Sequence, residues 1–100
     1  MGVKIISKRK VTEQKEEAVM PLILQLRKLA KSQPGFNSEE TWRHLEQPVK
    51  FLIVREWDSE EDWYNWHSSQ QRIEIQEKIE AILGEKTTYS TYEIIHRIEK

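Results

Sequence analysis

The run from Lys50 to Trp66 constrains this chain more than any other. Eight residues of strand character, Lys50-Phe51-Leu52-Ile53-Val54-Arg55-Glu56-Trp57, pass through Asp58 straight into an acidic helix start, Ser59-Glu60-Glu61-Asp62-Trp63-Tyr64-Asn65-Trp66. Four consecutive apolar residues, Phe51 to Val54, mark a strand covered on both faces and therefore central in its sheet. Ser59 can cap the helix through its hydroxyl, Asp62 stands at the capping-box position, and Glu60 and Glu61 complement the positive end of the helix dipole. Trp63 and Trp66 share one helical face. These features name a fold more firmly than a chemistry.

The remaining elements follow from periodicity. Val3 to Val11 alternates imperfectly and predicts strand one. Thr12 is a plausible cap, and Ala18, Leu22, Leu26 and Leu29, widened by Val19, Ile23 and Ala30, predict helix one over Glu13 to Lys31. Pro21 lies inside it, lacks the amide donor and clashes with the carbonyl of Glu17, so a kink is expected. Gln33-Pro34-Gly35 stops the helix, with Gly35 free to take a positive φ, and strand two runs from Phe36 toward Leu45. Glu46-Gln47-Pro48 turns into strand three. Ser59 to Leu83 reads as helical, broken near Ser68 and Ser69, with Ile75, Ile79, Ile82 and Leu83 on the second piece and Gly84 ending it. Thr87 to Ile98, rich in β-branched and aromatic residues, predicts strand four.

The order is βαββαβ, an α+β chain of ferredoxin-like arrangement in which two helices cover one face of a four-stranded antiparallel sheet. One domain spanning 1–100 is expected. With 37% hydrophobic and 33% charged residues, the core is small, the second sheet face needs a cover, and a homodimer is expected.

Composition removes several function classes. A formal charge of -1 gives no global attraction to nucleic acid or anionic membranes, so neither is expected as a partner. The chain has no cysteine, which excludes disulfides, thiolate nucleophiles and cysteine-ligated metal centres. Met1 to Lys10 lacks the apolar run and cleavage site of a signal peptide, and no later stretch reaches transmembrane length, so cytoplasmic residence is expected. His44, His67 and His96 fall on three elements without ligand-like spacing, and no metal is expected. Lys8-Arg9-Lys10 splits between two strand faces and reads as solvated surface. Neither a glycine-rich phosphate loop nor a nucleophile-base signature occurs. The four tryptophans, Trp42, Trp57, Trp63 and Trp66, either line a cavity for a flat aromatic ligand or fill a small core and a dimer seam. Arg43 and His44 point to opposite faces of strand two, so only one can enter a given cavity.

In sequence order, Gln33-Pro34-Gly35-Phe36, Phe51 to Trp57, and Ser59 to Trp66 resemble the antibiotic biosynthesis monooxygenase domain family over nearly the full chain. The resemblance implies a dimeric α+β barrel, two ferredoxin-like sheets packed face to face. It also implies cofactor-independent oxygenation of a quinol or polycyclic phenol that itself reduces dioxygen, in a pocket between sheet and helices. On this basis Asn65, Trp66 and His44 are the catalytic candidates, with Asn65 or His44 polarising the reacting oxygen, and Trp63, Trp57 and Trp42 are the pocket-lining ones. The family's haem-degrading branch uses a strand-one asparagine, a tryptophan on the second helix and a histidine about ten residues beyond. Trp66 matches that tryptophan, but Ser7 and Lys8 stand near the asparagine position and Gln76 near the histidine position, which disfavours haem degradation. Quinol-oxidising members often carry histidines where Trp66 stands and near Gln71. Their absence leaves an alternative open: a non-catalytic dimeric barrel that binds a small hydrophobic metabolite or serves as an assembly module.

Overall fold

The computed structural model describes residues 2–100. In chain order the elements are β1 (Val3–Lys10), α1 (Glu13–Lys31), β2 (Phe36–Arg43), β3 (Lys50–Trp57), α2 (Glu60–His67), α3 (Gln70–Leu83) and β4 (Thr88–Glu93). The sheet order is β2-β3-β1-β4 with every pair antiparallel. This is the ferredoxin-like arrangement with its helices on one face, and the apolar run of β3 lies at the centre beside β1.

Register decides which side chains meet the helices. Ser7 pairs with Ile53 and Tyr89, Ile5 with Arg55, and Val3 with Trp57, so the odd residues of β1 and β3 face the helices. There Ile5 and Trp57 join Val19, Ile23, Leu26 and Ala30 of α1, Trp66 of α2, and Ile75, Ile79 and Leu83 of α3 in one buried cluster. A register shift between Phe36 and Ser38 sets Phe36 opposite Trp57. The opposite sheet face carries Ile6, Leu52 and Val54, with Trp42 and Tyr92 respectively 47% and 55% exposed, and among the described residues no helix lies on it.

α1 is continuous from Glu13 to Lys31 with Pro21 inside it; the proline and Glu17 are both exposed, so the carbonyl that loses its partner can turn to water. Three local expectations change. Thr12 makes no side-chain cap; its carbonyl instead accepts from the amides of Lys15 and Glu16. β2 ends at Arg43 rather than Leu45, because the backbone amides of Glu46 and Gln47 donate to His44 Nδ1 at 3.1 and 3.0 Å and close the turn. β4 ends at Glu93 rather than Ile98, since Glu93 already pairs with Val3 at the start of β1 and only Gly2 O remains to accept, from the amide of Ile94.

The break between α2 and α3 falls at Ser68 and Ser69 as read. Ser59 accepts from the amide of Asp62 at 3.1 Å and donates to its carboxylate at 2.9 Å; Ser69 accepts from the amide of Arg72. Gly35 holds this junction to β2. Its φ is +81°, its carbonyl accepts from the amide of Asp58, and a Cβ on it would lie 2.3 Å from Asp62 Cγ. Gly35→Ala is expected to destabilise by more than about 1 kcal/mol, from backbone strain and displacement of the capping carboxylate, as read by urea unfolding.

Candidate functional site

Between the sheet and the two C-terminal helices the structure builds a cage of aromatic rings and guanidinium groups. Trp57, the last residue of β3, stacks on Trp66 of α2 with ring centroids 6.1 Å apart and meets Phe36 edge-on at 5.5 Å. Trp63, one helical turn before Trp66, lies 5.0 Å from the ring of His67, which meets Tyr89 of β4 edge-on at 4.9 Å. Ile5, Ser7, Arg55 and Arg72 complete the lining. Strand pairing places Ser7, Arg55 and Tyr89 on the helix side, and the Ser69 cap sets Arg72 in the first turn of α3.

The cage is polar in a specific way. Arg72 donates to the carbonyl of His67 at 2.8 Å and to the hydroxyl of Tyr89. Arg55, 5.8 Å above the Trp66 ring, donates to one oxygen of Glu39 at 2.6 Å, while Arg27 takes the other at 2.6 Å. Arg9 donates only to neutral partners, Thr87 Oγ1 at 3.4 Å and Gln76 Oε1 at 3.2 Å. Three arginines are thus buried on the helix side of the sheet, of which Arg55 and Arg72 line the cage, and among the described residues Glu39, on Arg55, is the one carboxylate ion-paired with any of them. Burial, and then repulsion by Arg55, pushes Arg9 down to about 10. Arg72 is also lowered, chiefly by burial. The excess of fixed positive charge favours an anion.

The space left is about 10 Å³, room for about one water molecule. The cage is filled by its own side chains. Among the described residues, Trp57 Nε1 is the one buried side-chain donor or acceptor without a partner, a cost that a ligand acceptor would remove.

Burial, with a smaller contribution from Arg72, holds His67 below its ordinary 6.5. Above pH 6.5 both folded and unfolded chains carry it neutral and its contribution to stability is complete. As pH falls, the unfolded chain protonates first, and stability is lost down through the folded-state pKa. Urea midpoints measured at about pH 7.5 and about pH 5.5 are expected to fall toward acid, with a smaller fall in His67→Gln.

Of the six residues singled out from sequence, Trp57, Trp63 and Trp66 converge here. Trp42 lies on the uncovered sheet face, its indole N–H donating to Glu40 at 3.1 Å. His44 sits at the exposed end of β2, its Nδ1 engaged by the turn, and lines a different cleft. Asn65 is on the exposed side of α2. The structure does not bring these three together with the cage. Sequence reasoning missed Arg55, Arg72, His67 and Tyr89 as a group. The Ser69 cap was legible and fixes the position of Arg72 in its helix, but the strand register that sets Arg55 and Tyr89 opposite it was not.

Fold and cage define an α+β domain of the ferredoxin-like type with an enclosed aromatic and cationic interior. The antibiotic biosynthesis monooxygenase family model matches residues 2–78, and the chain belongs to that family. No curated protein matches it in sequence. Among solved structures, a conserved protein from Methanosarcina mazei superposes with a TM-score of 0.82 at 21% identity, covering 92% of this chain and 91% of that one. SnoaB, a cofactor-independent oxygenase from Streptomyces nogalater, gives 0.83 at 10% identity over 99% and 98% of the two chains. A further antibiotic biosynthesis monooxygenase gives 0.80 at 15%, covering 94% and 99%. At these identities the superpositions establish the fold alone.

Proposed function

We propose that this chain is a cofactor-independent monooxygenase for a reduced phenolic aromatic substrate, bound as its anion between the sheet and α2 and α3. The observation that carries the reading is the cage itself: indole walls from Trp57, Trp63 and Trp66 beside the guanidinium groups of Arg55 and Arg72. A flat ring packs on indole faces, and a phenolate, a stronger reductant than its phenol, is stabilised by a fixed guanidinium in a site of low dielectric. The similarity to SnoaB, named as a cofactor-independent oxygenase, supports the same class of reaction. For a ring methylene beside a phenolate, dioxygen supplies both oxygen atoms: one becomes the new carbonyl, the other leaves as water with the two methylene hydrogens. The substrate provides all four electrons. Trp57 Nε1 offers a donor to a substrate oxygen, and Asn65 and His44 stay outside the contact set.

Entry requires α2, an eight-residue helix between serine caps, to move aside. The whole chain acts as one domain, in the cytoplasm, as a homodimer whose uncovered sheet faces meet. Trp42, Tyr92, Ile6 and Leu52 on that face support the dimer, and a light-scattering mass of one chain would contradict it. Among the described residues no helix is long and apolar enough to cross a membrane.

The cavity of only about 10 Å³ favours a second reading, a non-catalytic barrel. Oxygen uptake by metal-free protein with anthrones and quinols separates the two. The oxygenase consumes one dioxygen per product, puts one labelled oxygen into it, and loses about tenfold or more in Arg72→Gln. Absence of both uptake and binding across the panel leaves the non-catalytic barrel.

A further inference from the structure

Ser7 is the smallest of the residues that line the cage, and strand pairing sets it between long ones. On the inner strand β1 it stands opposite Tyr89 of β4. Arg55 of β3 pairs with Ile5, two residues before Ser7 on the same face. Arg72 reaches over from α3, its guanidinium 5.2 Å above the Tyr89 ring. A short side chain with Arg55 on one flank and Tyr89 and Arg72 on the other leaves the space of about 10 Å³ that these four residues share.

The charge around that space is not balanced. Arg55 gives its Nε to Glu39. Arg72 gives Nη1 to the carbonyl of His67 and Nη2 to the hydroxyl of Tyr89, both neutral oxygens. A guanidinium carries five N–H donors, and both Nη groups of Arg55 and the Nε of Arg72 have no partner among the described residues. Both side chains are buried, as is Arg9, two residues beyond Ser7 on the same strand face. A guanidinium taken out of water without a counter-ion is costly, and the carboxylate of Glu39 offsets one charge of the three. An anion between Arg55 and Arg72 lowers the remaining cost, with the Ser7 hydroxyl as a further donor. Size then selects the anion: room for about one water molecule admits a monatomic ion and excludes carboxylates, phosphate and sulfate.

We infer that the cage binds a chloride ion when no substrate is present, seated between the free N–H groups of Arg55 and Arg72 and the hydroxyl of Ser7, and that a substrate anion displaces it. A water molecule has the same size but supplies no counter-charge. Occupancy by chloride requires nothing of the oxygenase reading; displacement by substrate rests on it.

The test is unfolding of the full chain in sodium chloride and in sodium gluconate, at equal ionic strength and fixed protein concentration. Gluconate is too large for the cage and screens surface charge equally. Chloride at about ten times its dissociation constant is expected to raise the folded-to-unfolded ratio about tenfold over gluconate, a saturating upward shift in Tm of about 5 °C or more. Arg72→Gln removes the charge, Ser7→Val fills the gap with both arginines kept, and each is expected to abolish the shift. Lys86→Gln, at the exposed surface, is expected to keep it. A direct measurement stands beside the variants should either fail to fold: anomalous scattering from crystals of the unaltered chain grown in sodium bromide is expected to place bromide between Arg55 and Arg72. Equal unfolding in the two salts, an undiminished shift in Arg72→Gln and Ser7→Val, or bromide confined to the surface, an adventitious ion only, overturns the inference. Oxygen uptake with an anthrone is expected to show a KM that rises with chloride at constant ionic strength while kcat holds, and a KM indifferent to chloride overturns the displacement. A protein without uptake that carries bromide in the cage refutes the oxygenase reading alone.

Discussion

Trp57→Ala is expected to lose about 3–5 kcal/mol of stability, a drop in Tm of about 15–30 °C for a domain of this size. Trp57 is fully buried, stacks on Trp66 and receives Phe36 edge-on, so truncation removes the side chain by which β3 holds both β2 and α2. The hole it leaves lies between β3 and α2, neither of which can close it without breaking the strand register or the Ser59 cap. Trp57→Phe keeps most of the packing and deletes the unpartnered Nε1, whose burial is itself unfavourable; its expected loss is under about 2 kcal/mol. Thermal and urea unfolding of the two variants check the pair. A loss below about 1 kcal/mol in the alanine variant would show that the cage does not anchor the core.

Glu39→Ala carries the second large effect, an expected loss of about 3–5 kcal/mol. The carboxylate is clamped by Arg55 and Arg27, each at 2.6 Å, with side-chain exposures of 8% for Glu39, 9% for Arg55 and 39% for Arg27. The half-exposed partner contributes little, and Arg27→Ala is expected to cost no more than about 1 kcal/mol. The damage in Glu39→Ala is the Arg55 charge left buried among Arg9 and Arg72 without its one counterion. The double variant Glu39→Ala/Arg55→Met is therefore expected to recover most of the loss, since removing both charges also removes the desolvation penalty. A double-mutant cycle by urea unfolding measures this, and additive losses would refute the coupling. The same cycle bears on function. If Arg55 holds a substrate anion, Glu39 restrains its charge in the empty protein, and Arg55→Met is expected to weaken binding of a phenolate more than of its methyl ether.

The elements with their own local chemistry were legible in the chain. The Ser59 cap, the Ser68-Ser69 break, the Gly35 and Gly84 stops and the apolar run of β3 each rest on a few adjacent residues, and each stands where its chemistry places it. Element ends that depend on distant partners were not legible. Ile95 and Ile98 have strand-forming side chains, yet β4 stops when β1 has no further residue to offer, and β2 stops when His44 captures two amides of the turn. The site divides in the same way. Trp63 and Trp66 are read onto one face by helical spacing alone, whereas Arg55, Arg72, His67 and Tyr89 are separated by up to 34 positions and look like ordinary surface residues until strand pairing brings them together.

What the sequence determined by itself was the α+β order, the central place of β3, the acidic tryptophan helix and, through these, the family resemblance, because caps, turns and hydrophobic periods act within a few residues. Tertiary structure decided which tryptophans share an interior, that Arg55 and Arg72 stand beside them, and that Arg9, between two lysines in the chain, is buried on the helix side of the sheet. Those outcomes depend on strand register and on how the helices pack against the sheet. Both are settled by packing between segments far apart in the chain, where a shift of one residue sends every side chain to the opposite face.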